Sequence, residues 1–274
     1  MKTNEIALRP IHYASVSGGK DSLYMMKIIL ENPQKYPLDM VVNFELEIEW
    51  PFVYDSVKAI RNMCDALGIP FKSIRPRKSW DELYQERSMP NRKVRWCNSE
   101  YKLDCKVQLN EWIKGQSCRP VAYIGFCADE VKRFKYNVGT WNPKENQDVC
   151  YPLAEEGIVE DTILEWARTQ PMFGDWYKVF RRQGCCFCPF MSTMEMAYMA
   201  KHLPDRWEKF IKCIEEHEQK FKRNWKTDYD VAELKRRAEG IWRKKLDFAE
   251  QWAGLEEFKF KFAMWARQEI PPDK

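Results

Sequence analysis

Apolar and polar positions along the chain follow two different periods. Residues 11–16 form an apolar run of strand length, and from Asp21 to about Leu30 apolar side chains recur at Leu23, Met26, Ile29 and Leu30, the spacing of one helix face. Asn32-Pro33 stops that helix. Residues 39–44 read as a second strand. A helix over roughly 53–67 follows, with Val53, Val57, Ile60 and Leu67 on one face and Gly68 closing it. Residues 71–74 predict a third strand, a helix lies around 100–114, and 121–126 is a stronger strand. Strands alternating with helices predict an α/β fold, a parallel sheet with flanking helices, whose strand order the pattern does not give. Beyond about residue 190 the character changes. The segment 191–270 is helical in period and dense in Lys, Glu and Arg, with several tryptophans and breaks at Pro204 and Gly254. The predicted organisation is an α/β domain over 1–190 and a helical C-terminal extension over 191–274.

Composition changes this picture little. With 274 residues and 45% hydrophobic content the chain can bury a substantial core, and 45 Lys+Arg against 41 Asp+Glu leave a net charge of +4. That mild excess does not by itself indicate a nucleic-acid binder. The stretch LKRRAEGIWRKK is basic, but residues 201–250 hold 14 Lys+Arg and 11 Asp+Glu, so a solvated, salt-bridged helix face is the expectation. No run approaches the ~20 apolar residues that span a bilayer, so a soluble, cytoplasmic protein without a membrane partner is expected. Ten cysteines in such a chain point to reduced thiols or metal ligands rather than disulfides. Cys64, Cys118, Cys150 and Cys213 stand alone and are assigned to packing.

The stretch SVSGGKDS, Ser15 to Ser22, lies between the first strand and the first helix. It could be an ordinary tight turn or an anion cradle. Gly18 and Gly19 can adopt positive φ and let backbone approach a ligand, while the first amides of the helix favour negative charge. Lys20 adds a point charge, and Ser15, Ser17 and Ser22 add hydroxyls. Asp21 could cap the helix or help hold magnesium. The Walker A pattern is excluded, because Ala14 and Asp21 occupy its Gly and Ser/Thr positions. The order S-G-G-K-D-S, Ser17 to Ser22, resembles the PP-loop of the N-type ATP pyrophosphatase superfamily.

Further segments, over roughly residues 8–200, resemble the phosphoadenosine phosphosulfate (PAPS) reductase-like branch of that superfamily. They are Glu49-Trp50-Pro51 after the second strand, RWCNSEYK at 95–102, YIGFCADEVKR at 123–133 and YPLAEEGIVEDTILEW at 151–166, leading to Gly184-Cys185-Cys186-Phe187-Cys188-Pro189. The resemblance implies an adenine nucleotide alpha hydrolase-like, Rossmann-type three-layer fold. It implies nucleotide contacts from the loop 17–22 and from Gly125, Glu130 and Arg133, with Lys20 and Asp21 in the chemistry. Two positions depart from the family: Cys127 stands where an arginine is usual, and no cysteine follows Cys213 to supply the C-terminal nucleophile of sulfonucleotide reductases.

Cys185-x-x-Cys188 has the spacing that turns two thiolates onto one metal or cluster, a spacing shared by redox pairs. The resemblance adds Cys97 as a third ligand, with Trp96 in place of a fourth cysteine. Three thiolates suit a [4Fe–4S] cluster with one open iron. A closed site with Cys186, Cys105 or Cys127 as fourth ligand suits zinc equally well. Between the third strand and Cys97, Arg75, Arg77, Lys78, Arg92, Lys93 and Arg95 read as guides for an anionic substrate such as a nucleic acid, and Trp80 and Trp96 either stack on a base or pack in the core.

The resemblance implies an ATP- and Mg²⁺-dependent enzyme that adenylates its substrate for sulfur transfer from a donor or reductant. The alternatives are a PAPS or APS reductase or sulfurtransferase, with Cys127 as the substitute thiol, and a non-catalytic nucleotide- or nucleic-acid-binding module.

Overall fold

The structure is a computed structural model that describes residues 9–115, 118–130, 140–142, 147–226, 229–241 and 243. Its sheet is built around β1 (Pro10–Val16), in which Tyr13, Ala14 and Val16 are buried. Parallel neighbours lie on both sides, β2 (Met40–Phe44) and β4 (Arg119–Tyr123). A strand buried on both faces reads as a continuous apolar run, which is how β1 and β2 stand in the sequence. β3 (Phe71–Ile74) pairs with β2, and β6 (Gln147–Cys150) pairs with β4, both parallel. β5 (Thr140–Asn142) closes the edge antiparallel to β6. The order β3-β2-β1-β4-β6-β5 makes a Rossmann-like α/β fold with five parallel strands. The chain steps outward from β1 to β3 and then returns to the other side of β1. The strand order therefore reverses between β1 and β4, the kind of position at which open α/β sheets bind ligands outside the carboxyl ends of their strands.

The helices follow from local signals. α1 (Lys20–Glu31) buries Leu23, Met25, Met26, Ile28 and Ile29. α2 (Pro51–Leu67) starts with proline in its first turn and ends at Gly68, whose φ is +68°. The Ile69 amide then bonds back to the Cys64 carbonyl at 2.9 Å. The helix expected over 100–114 is a wide π-type turn, Cys97–Lys102, running into α4 (Leu103–Lys114). α5 (Pro152–Glu155) and α6 (Glu160–Thr169) pack on α1, with Tyr24 edge-on to Trp166 at 5.1 Å.

The chain divides into two compact units. One is drawn from residues up to 79 together with 97–172, and the other from 80–96 together with 173 onward. The boundary drawn at 190 from the sequence falls inside the second unit. That unit contains α3 (Trp80–Arg87), α7 (Trp176–Val179), α8 (Thr193–His202), α9 (Pro204–Phe221) and α10 (Val231–Ile241). The segment 80–96 belongs to it through specific contacts. The Tyr84 hydroxyl donates to Glu216, Lys209 pairs with Asp81 at 2.9 Å, and the Trp225 indole donates to the Pro90 carbonyl at 2.7 Å. α8 opens on a reciprocal cap, Ser192 with Glu195, and Pro204 starts α9 as the break in periodicity requires. On α10, Glu233 takes both Arg236 and Arg237, in keeping with a salt-bridged face. Gly254 lies outside the described residues. Among those described, no helix is long and apolar enough to cross a membrane.

Candidate nucleotide site and cysteine pair

β1 delivers the chain to Ser17-Gly18-Gly19, and α1 begins at Lys20. Gly18 has φ +75°, and a Cβ there would lie 2.9 Å from the Val53 carbonyl oxygen and from the methyls of Val53 and Val57. Only glycine fits, both in backbone and in space. Gly19 is the N-cap residue and no side chain caps the helix, so its first amides face the space before it. Ser22 braces the loop: its hydroxyl donates to the Gly19 carbonyl at 2.9 Å and accepts the Ser17 amide at 3.2 Å. Ser15 sits within β1, in register with Val42.

Lys20 is 3% exposed. Its ammonium donates to Asp21 Oδ1 at 2.7 Å and lies 3.4 Å from Glu160 Oε1, at the start of α6. A buried ammonium is tolerable because it is paired. After β4 the segment 124–130 crosses the start of α1. Gly125 is pressed there: a Cβ would stand 3.0 Å from the Asp21 carbonyl oxygen. The Cys127 thiol donates to Asp21 Oδ1 at 3.6 Å, and Glu130 accepts the Cys127 amide at 3.2 Å. Burial and the Asp21 carboxylate push the Cys127 thiol far up. Loop 17–22, Gly125, Cys127 and Glu130 therefore form one connected cluster. Arg133 lies outside the described residues.

Beside the loop, at the carboxyl ends of β2 and β3, a cleft of about 380 Å³ is lined by Ser17, Asn43, Glu45, Glu49, Tyr54 and Arg61, among others. Asn43 ties β2 to β1 by donating to the Val16 carbonyl at 2.9 Å. The Tyr54 hydroxyl donates to the Leu46 carbonyl at 3.0 Å, which fixes the turn that carries Glu49. Asn43, Tyr54 and Glu160 escaped the sequence reading. Their only signal was position, at the end of a strand or in the first turns of a helix.

Cys185 and Cys188 come together in the second unit, with the Cys188 amide bonded to the Cys185 carbonyl at 3.2 Å. A hydrogen bond from the Cys185 side chain outweighs burial and, with the Phe190 backbone and Arg182, lowers the Cys188 thiol below its ordinary value, which favours thiolate character. The pair fits half of a thiolate metal site. Cys97 belongs to the first unit and opens the turn before α4. Among the described residues no group of three or more His, Cys, Asp or Glu side chains is placed to hold a metal ion. Cys105 is buried against the Ile74 carbonyl at 3.5 Å and pushed up to about 11 by burial, which disfavours it as a fourth ligand. Cys127 is engaged with Asp21, and the buried Cys186 accepts from Arg206 at 3.2 Å.

The basic cluster expected before Cys97 is divided. Arg75 pairs with Glu45, and Arg77 pairs with Asp104 and Glu111, all in the first unit, so neither is an unengaged anion guide. Arg92, Lys93 and Arg95 are exposed in the second unit. Trp80 and Trp96 are buried with ring centroids 4.5 Å apart, which removes them as base-stacking platforms and leaves the packing reading.

No family model matches the chain. Two uncharacterized proteins of Methanocaldococcus jannaschii are similar to it. MJ0066 is 27% identical over 223 residues, covering 80% of this chain and 44% of its own length. MJ0973 is 25% identical over 237 residues, covering 84% and 51%. The chain thus spans about half the length of the curated relatives it matches. Among solved structures it is similar to the U34-tRNA thiolase NcsA from Methanococcus maripaludis with its [4Fe–4S] cluster. That likeness has 18% identity and a TM-score of 0.40, covering 88% of this chain and 75% of that one.

Proposed function

We propose that this chain is a PP-loop enzyme that binds ATP with Mg²⁺ at residues 17–22 and activates a substrate by adenylation. The observation that carries this reading is the loop itself: a left-handed Gly18 wedged against α2 and an uncapped helix start, where the strand order reverses. The adjoining cleft supports it by leaving room for the nucleoside. A substrate oxygen would bond to the α-phosphorus as the bond to pyrophosphate breaks. Lys20 would exchange its longer contact, to Glu160, for a phosphate oxygen, and Asp21 would face the metal ion. A sulfur nucleophile would then displace AMP, as the PAPS reductase-like resemblance implies.

The reductase alternative needs a thiolate nucleophile. Cys127 is a poor candidate, because burial and Asp21 keep its thiol protonated. For Cys185 and Cys188 the proposal is a thiolate site for a [4Fe–4S] cluster, with zinc as the alternative. When bound, a cluster with an open iron would supply a place to hold sulfide, and zinc would be structural.

Calorimetric titration with MgATP tests the nucleotide reading. Wild type binds, and Lys20→Ala loses at least tenfold in affinity, about 1.4 kcal/mol, with an unchanged circular dichroism spectrum. Equal binding by both, or none by wild type, would overturn it. Binding without pyrophosphate release on any substrate would leave the non-catalytic module.

A further inference from the structure

The nucleotide reading leaves unused a surface of the second unit where loop 90–95 meets Phe190. The loop is held as an ordered turn. The Asn91 side-chain oxygen accepts the amides of Lys93 and Val94, both at 2.9 Å, and the Asn91 amide donates to the Val94 carbonyl at 3.0 Å. Its flanks are pinned by two indoles, Trp225 to the Pro90 carbonyl at 2.7 Å and Trp96 to the Ser88 carbonyl at 2.9 Å. Arg92, Lys93, Val94 and Arg95 therefore stand in solvent on fixed backbone. Phe190 is 38% exposed although both of its chain neighbours are buried. Arg182 fixes its carbonyl at 2.7 Å. The guanidinium carbons of Arg95 and Arg92 lie 5.0 and 5.9 Å from its ring centroid.

An exposed phenyl forgoes burial, and guanidinium groups over its face recover part of that loss. Together they offer planar surfaces for a base and cations for the phosphates beside it. We infer that this patch docks a single-stranded polynucleotide, one base stacking against Phe190 and Arg95 while Arg92, Lys93 and Arg182 meet adjacent phosphodiesters. A small anion or an acidic peptide would use the charges without needing the ring, whereas a polynucleotide uses both. A membrane surface needs a broader apolar face than one phenyl and Val94. The inference goes beyond the ATP reading and does not depend on it.

Fluorescence anisotropy of labelled short oligothymidylate and oligouridylate with the full chain, without ATP, tests it. Both bind wild type, because stacking and phosphate pairing need no 2′-hydroxyl. Phe190→Ala weakens binding roughly tenfold and Phe190→Tyr retains it. Arg92→Ala with Lys93→Ala flattens the dependence of log K on log salt by about 1.4, at roughly 0.7 per phosphate contact. A Phe190→Ala protein that binds like wild type would overturn the proposal. So would polyglutamate displacing the oligonucleotide at equal charge. MgATP titration of Phe190→Ala reports on the nucleotide cleft separately, so either reading can fail alone.

Discussion

At Gly18 the backbone turns left-handed in a place where one methyl group would strike the Val53 carbonyl oxygen at 2.9 Å. The backbone conformation alone costs an L-residue about 1–2 kcal/mol, and Val53, held in α2, cannot yield cheaply. Gly18→Ala is therefore expected to lower stability by more than about 2 kcal/mol in urea unfolding and to weaken MgATP binding with it. Unchanged stability would show that the loop does not hold this geometry. Lys20 illustrates the same economy of space. Its charge is buried yet matched by Asp21 and Glu160, and in the proposed ATP complex a phosphate would replace the more distant of these two.

α9 shows what an element can impose on its neighbours. His217 on that helix is buried, with Nδ1 3.1 Å from the Ser88 hydroxyl, and Ser88 itself sits at φ +63°. Burial first, then the nearby Arg223 and Lys220, lower the His217 imidazole below its ordinary 6.5. The unfolded chain takes up this proton near 6.5, whereas the folded chain resists it until lower pH. The stability that His217 contributes is thus complete above 6.5 and falls as pH drops through the window beneath it. Urea midpoints on either side of 6.5 check this. Wild type should lose stability at the acid side, and His217→Gln should flatten that part of the profile. A wild-type profile with no slope there would refute it.

For the molecule as a whole, the two units carry different candidate chemistry, the proposed nucleotide cleft in one and the Cys185/Cys188 pair in the other. Anaerobic purification followed by iron, sulfide and zinc analysis tests the second. Iron with sulfide, lost in Cys185→Ala/Cys188→Ala, is the expected result and supports the cluster. Zinc alone would make the pair structural. No metal in either protein would remove the metal proposal and leave a redox-type or packed pair.

What neighbouring residues encode was legible from the chain alone. The apolar runs specified β1, β2 and β3, periodicity with Gly68 and Pro204 bounded α2 and opened α9, and the glycines of SGGKDS marked the loop. β6 was not legible, because it is short and half of it, Gln147-Asp148, is polar. They are accommodated by partners far along the chain, Gln147 by the Tyr13 hydroxyl and Asp148 by Arg119 at 2.8 Å. Equally hidden were the return of 80–96 to helices more than a hundred residues later, the burial of Trp80 and Trp96, and the exposure of Phe190. Local spacing determined the elements and the glycine loop between β1 and α1. Only tertiary structure decided which polar groups find partners and which aromatics stay in water, because both depend on surfaces brought together from distant parts of the chain.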